Sequence, residues 1–142
     1  MFLLRFKTIL IAHFSKKCLK SFNIMLSKAP IDQVYLACGP TDLRKSVDGL
    51  AAIVQLSFQL DPFSSNLFVF CNRKRDKLKI LHWDHNGFWL YYRRLDEGLF
   101  HWPESQTSSP LKISQRQLNW LLDGLPMEQK QAHPKIDAKF II

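Results

Sequence analysis

Hydrophobic positions change period along this 142-residue chain, and those changes divide it into elements. Residues 34–38 (VYLAC) form a short β-branched and aromatic run closed by Gly39-Pro40, the pattern of a strand running into a turn. Leu43, Val47, Leu50, Val54 and Phe58 then recur at three- and four-residue spacing, the apolar stripe of an amphipathic helix. Thr41 is placed to cap that helix, with Asp42 in its first turn complementing the helix dipole. Gly49 inside the stripe costs about 1 kcal/mol relative to alanine and implies close packing. Asp61-Pro62 ends the element.

Residues 67–71 (LFVFC) are continuously apolar, as in a central strand buried on both faces. Residues 77–84 and 88–94 are strand-like and flank Asn86-Gly87, a strong hairpin signal because both residues tolerate positive φ. Alternation puts Phe88, Leu90 and Tyr92 on one face, read as the core face, and Trp89, Tyr91 and Arg93 on the other, left for partners. Residues 96–98 make a turn and 99–102 a final short strand, followed by a polar linker over 104–110. Ser114 with Gln117 has the form of a capping box. Leu118, Leu121, Leu122 and Leu125 follow as a short amphipathic helix, with Gly124 at its C-terminal cap.

The expected fold class is therefore α+β: a small, mainly antiparallel sheet, with strand, helix and then a three- to four-strand meander. One long amphipathic helix packs on it and a short helix closes the chain. The expected organisation is a basic, apolar extension over residues 1–24, a single domain over 25–125 and a flexible polar tail over 126–142.

Composition refines this picture. Apolar content of 46% and charged content of 23% suit a folded globular chain. Three cysteines without a CxxC pair support neither a disulfide framework nor a zinc ribbon, and fit a reducing, cytoplasmic setting. The formal net charge is +8, but it is unevenly distributed. Residues 1–24 hold five lysines and arginines and no acid, whereas 25–142 hold 15 against 12 acids, a balance of only +3. The first segment is too broken by Arg5 and Lys7 to span a bilayer, and its charges lie in the wrong order for a signal peptide. It reads either as a membrane-surface amphipathic helix or, the favoured expectation, as upstream translated sequence with Met25 as the start.

Basicity in the remainder is concentrated in residues 72–103. Arg73, Lys74, Arg75, Lys77 and Lys79, with Arg93 and Arg94, are the expected phosphate contacts. Arg44 and Lys45 beside Asp42 form a second polar patch. Trp89, Tyr91 and Trp102 are candidates for base stacking or a protein interface, although aromatics in strands more often belong to the core.

Catalytic and metal readings are weaker. His82, His85, His101 and Cys71 lack the convergence zinc requires. Asp42, Asp84 and Glu97 would make a two-metal nuclease only if folding gathered them, and each has a simpler role in a turn or at a helix start. No phosphate loop, nucleophile elbow or Cys–His pair is evident, so neither a cofactor nor a metal is expected.

The succession YLACGPTDLRKSVDGLA, LDPFSSNLFVFCNRKRDKLKILHWDHNGFWLYYRRLDEGLFHWP and LNWLLDGL closely resembles the TnpB-type, Orf2-like transposition proteins of the bacterial insertion-sequence family numbered sixty-six. These are distinct from the RNA-guided nuclease that shares the TnpB name. The resemblance spans residues 31–125 and implies a non-catalytic accessory protein. It would act with a transposase and a second accessory protein, on DNA at the element's ends, without a membrane. It also implies that Ser46 stands where relatives usually carry glycine, a change expected to stabilise a helix interior. The rival expectations are a transposase adaptor with no DNA contact of its own and, further off, the metal-dependent nuclease.

Overall fold

The computed structural model describes residues 31–104, 109–131 and 133–134. The expected 1–24 extension lies outside the described residues. In chain order the elements are β1 (Val34–Leu36), α1 (Val47–Ala52), β2 (Leu67–Cys71), β3 (Lys77–Asp84), β4 (Gly87–Arg94), β5 (Leu111–Ile113) and α2 (Gln115–Leu122). The helix begun by α1 continues through Ile53–Ser57 with a widened turn, in which the Phe58 amide donates to the Ile53 carbonyl five residues back.

The five strands lie in the order β4-β3-β2-β1-β5. β1 and β2 are parallel and α1 is their crossover connection; the other neighbours are antiparallel. The α+β class read from the pattern is thus observed, with one parallel pair at its centre. All five residues of β2 are buried, because both sheet faces are covered. Phe68, Phe70 and Leu81 meet Leu50 and Val54 on the α1 face. Leu67, Val69, Leu78 and Ile80 meet Leu118, Leu121 and Leu122 on the α2 face.

Local chemistry explains the element ends. At α2 the Ser114 hydroxyl accepts from the Gln117 amide at 3.1 Å and the Gln117 side chain accepts from the Ser114 amide at 2.9 Å, which is the expected capping box. At the other end Gly124, with φ of +77°, donates to Leu121, and Leu125 donates back to Trp120. Those two bonds make a Schellman closure, which requires the left-handed residue.

Several expectations are corrected. α1 starts at Val47, not beside Thr41, so Ser46 is its N-terminal cap residue rather than an interior position, and its extended backbone suits any residue. Asp42 instead folds a tight turn, accepting from the Arg44 amide at 3.0 Å, while the Thr41 amide donates to Cys71. The hairpin pairs Asp84 with Gly87, leaving His85 and Asn86 as the loop. Positive φ falls on His85, at +53°, and Gly87 is the first residue of β4. Residues 99–102 form no strand: the Phe100 amide donates to the Arg75 carbonyl in the neighbouring loop. The last strand is β5 instead, beyond the polar linker and against β1. Met127, past the expected domain end, packs against the α2-face core.

Candidate nucleic-acid interface

The β2–β3 loop owes its shape to Asn72. Its side-chain oxygen accepts from the Asp76 and Lys77 amides, both at 3.1 Å, and its amide nitrogen donates to the Asp76 carboxylate at 2.7 Å. That last bond holds the Asp76 carboxyl below the usual carboxylate range. With Asp76 turned into the loop's own network, Arg73 and Lys74 project from an exposed crest.

Facing the crest is the turn over residues 41–45. Arg44 binds the Asp42 carboxylate through Nε at 2.9 Å and Nη2 at 2.8 Å. The forked hydrogen bond from Arg44 holds the Asp42 carboxyl down at about 2, so the carboxylate is ionised and already matched. This turn is fastened to the sheet by Lys79, whose ammonium donates to the Leu43 carbonyl at 2.6 Å and the Lys45 carbonyl at 3.2 Å. Burial pushes the Lys79 ammonium below its ordinary value.

Between loop and turn opens a cleft of about 690 Å³. Its charged walls are Arg44, Arg73, Lys74, Lys77 and Lys79, and Asp42 is the single carboxylate among the described residues lining it. Tyr92, opposite Lys79 in the β3–β4 register, supplies an aromatic wall. The two basic patches that the sequence left separate are therefore one site. Five cations converge on a concavity that also offers a ring, chemistry suited to holding a phosphorylated polymer.

Not every expected residue joins it. Arg93 alternates with Tyr92 and lies on the opposite face of the sheet, so it does not line the cleft. Arg94 reaches Asp96 at 3.6 Å at the exposed end of β4. Arg75 turns away to pair with Glu104. Lys45 contributes its carbonyl to Lys79 rather than its ammonium to the wall. Lys79 keeps its charge in the site but spends two of its three donors on the turn.

The aromatic expectations change more. Trp102 is 5% exposed, with its indole N–H donated to the Ala37 carbonyl at 2.9 Å, and Tyr91 is 7% exposed. Both are core residues and neither presents an open ring face for stacking. Burial pushes the Tyr91 hydroxyl up to about 12. Trp89 is half-buried against the same core, stacked on Tyr91, with its indole N–H 3.2 Å from the Asp84 carboxylate. Tyr92, expected in the core, is the ring that reaches the site. Its signal was present: once the loop is placed at residues 85–86, antiparallel counting sets Tyr92 beside Lys79 and Arg94 beside Lys77.

Among the described residues the metal-ligand candidates are not gathered. Asp42 lies in the cleft with Lys77, while Asp84 is at the far end of β3, a rise of roughly 23 Å at ~3.3 Å per residue. No group of three His, Cys, Asp or Glu side chains able to hold a metal occurs among the described residues. Nor is any described helix long and apolar enough to cross a membrane.

Fold and cleft together define a small α+β protein with a basic, aromatic-walled concavity. The chain belongs to the IS66 Orf2-like protein family, whose family model matches residues 32–132. Membership implies a role in the transposition of IS66 elements. The chain is 37% identical over 107 residues to the uncharacterized protein y4hO of Sinorhizobium fredii, covering 75% of this chain and 92% of that one. It is 28% identical over 102 residues to the uncharacterized protein y4jC of the same organism, covering 72% and 86%. No solved structure matches.

Proposed function

We propose that this protein is a non-catalytic accessory factor of IS66 transposition that holds DNA by its phosphates in the cleft between residues 41–45 and the β2–β3 loop. The observation carrying this reading is the convergence of Arg44, Arg73, Lys74, Lys77 and Lys79 on one concave surface whose single described carboxylate is already bound to Arg44. Cations so grouped displace the counterions condensed on DNA phosphates, and that release gives affinity without base recognition. The chemistry of strand transfer would then belong to a partner transposase, with a second accessory protein of the element completing the assembly.

The test is anisotropy of fluorescein-labelled element-end DNA titrated with the full chain at increasing salt. The expected result is binding that weakens steeply with salt and is lost in the triple variant Arg73→Glu, Lys74→Glu, Lys77→Glu. Undiminished binding by a folded triple variant would remove the cleft from the reading.

A second reading, an adaptor that docks on the transposase, is favoured by a different surface. Phe63, 56% exposed, packs its ring edge-on to Trp83 at 4.9 Å and 5.4 Å from Phe88, at the hairpin end of the sheet. An exposed aromatic resting on two half-buried rings has the form of an interface anchor. A transposase pull-down that survives the triple charge reversal but fails with Phe63→Ser would choose the adaptor.

A further inference from the structure

Building on the DNA-contact reading above, the geometry points to single-stranded DNA as the occupant of the cleft, and we propose that one strand threads from Tyr92 across Arg73 to Arg75. Three observations carry this. The first is the placing of Tyr92, which lines the concavity alongside Lys79 and Lys77 rather than standing on a convex surface. Bases in a duplex are stacked inside the helix, and the paired backbones shield them from a ring set in a recess. A single strand can turn a base toward Tyr92 while its phosphates meet the cations, which is how stacking platforms and basic grooves combine.

The second observation is that the cleft continues. A smaller depression of about 140 Å³ lies beside it, sharing Pro40, Asn72 and Arg73 and ending at Arg75, Trp102 and Glu104. Arg73 belongs to both, so cations run as a track from Lys79 through Arg73 to Arg75, a layout matched to a polymer rather than to one phosphate. The third is the kind of element that builds the walls. Loop 72–76, turn 41–45 and the sheet end contribute the side chains, so no helix is offered to a major groove at this site.

Glu104 marks the end of the track. It is ion-paired with Arg75 and 80% exposed, a carboxylate placed where an arriving phosphate would sit. It acts as a competitor that a phosphate must displace from Arg75.

The decisive experiment compares fluorescein-labelled 12-nucleotide oligothymidine with a 12-base-pair mixed duplex, using the full chain at low salt and then across a series of rising salt concentrations. Expected are at least tenfold tighter binding of the single strand and a salt slope of about −3 for four phosphate contacts. Tyr92→Ala should weaken single-strand binding by about tenfold and leave duplex binding unchanged, with Tyr92→Phe retaining wild-type affinity. Where Tyr92→Ala fails to fold, Tyr92→Leu serves, because it keeps an apolar bulk without a ring. Glu104→Gln should tighten single-strand binding several-fold more than Glu97→Gln, an equal change of net charge. Equal affinity for both DNA forms, or no effect of removing the Tyr92 ring, would overturn the single-strand assignment while leaving the phosphate reading standing. Absence of salt-sensitive binding to either form would overturn the phosphate reading itself.

Discussion

The Lys79 ammonium leaves β3 and donates to the Leu43 carbonyl at 2.6 Å, joining that strand to the turn that forms the opposite wall of the cleft. A cation read from sequence as a phosphate contact is thus also the strut that spaces the two walls. Its second bond, to Lys45, closes the same turn.

Replacing this strut should separate architecture from charge. Lys79→Met is expected to lower stability by about 1–2 kcal/mol, since two carbonyls lose a charged donor. Lys77→Met removes the same charge with no such bond and should leave the unfolding free energy within about 0.5 kcal/mol of wild type. Urea denaturation of the two variants checks the difference.

His82 makes stability depend on pH. It is 3% exposed, and burial holds its imidazole below the ordinary 6.5. The unfolded chain therefore takes up the proton more readily than the folded one as pH falls through about 6.5. Stability should be fully present above that value and decline as pH falls below it. His82→Leu should flatten this window, whatever it does to absolute stability. Urea midpoints measured across the range supply the comparison.

Trp102 is expected to report on the core. Trp102→Phe keeps most of the ring volume but leaves the Ala37 and Gly39 carbonyls without the indole donor. A loss of about 1–2 kcal/mol in stability follows. Urea denaturation checks it, and unchanged stability would show that these two indole bonds contribute little.

The α2 cap gives a local control. Ser114→Ala removes the hydroxyl that accepts from Gln117 and should cost about 1 kcal/mol, and Gly124→Ala should cost a comparable amount because φ there is +77°. Thermal melts of the single variants test both.

Cys71 should behave as an inert thiol. Burial pushes it up to about 12, so almost none is thiolate at pH 8. In a Cys18→Ser, Cys38→Ser background, Ellman's reagent should react slowly with the folded chain and rapidly in urea. Fast reaction of the folded chain would contradict the burial of β2.

Much of the fold was legible because its signals are local. The five-residue apolar run of β2, the two strands around residues 85–86 and the Ser114–Gln117 box each depend on neighbours a few positions away. β5 was missed because three residues with two exposed side chains carry no periodic signal; β1 alone makes them a strand. The start of α1 was placed too early because Asp42 suits a helix start and a tight turn equally well. Its bond to Arg44 and the pull of Lys79 on residues 43 and 45 settle it as a turn.

The same division holds for the site. Sequence alone determined which side chains carry charge, which strand faces they share and where the β3–β4 hairpin turns, since these follow from composition and a two-residue period. Tertiary structure decided which charges meet. Arg44 and Arg73 are 29 positions apart, and the parallel β1–β2 pairing brings the C-terminal ends of both strands, and the loops leaving them, to one end of the sheet. It also decided that Tyr92 lines the cleft while Tyr91 lies in the core. Alternation separates the two residues, but only the reach of the covering elements says which face is closed. α1 covers Phe68, Phe70 and Leu81 and stops short of Tyr92, and where that cover ends a core-parity residue becomes a wall of the site.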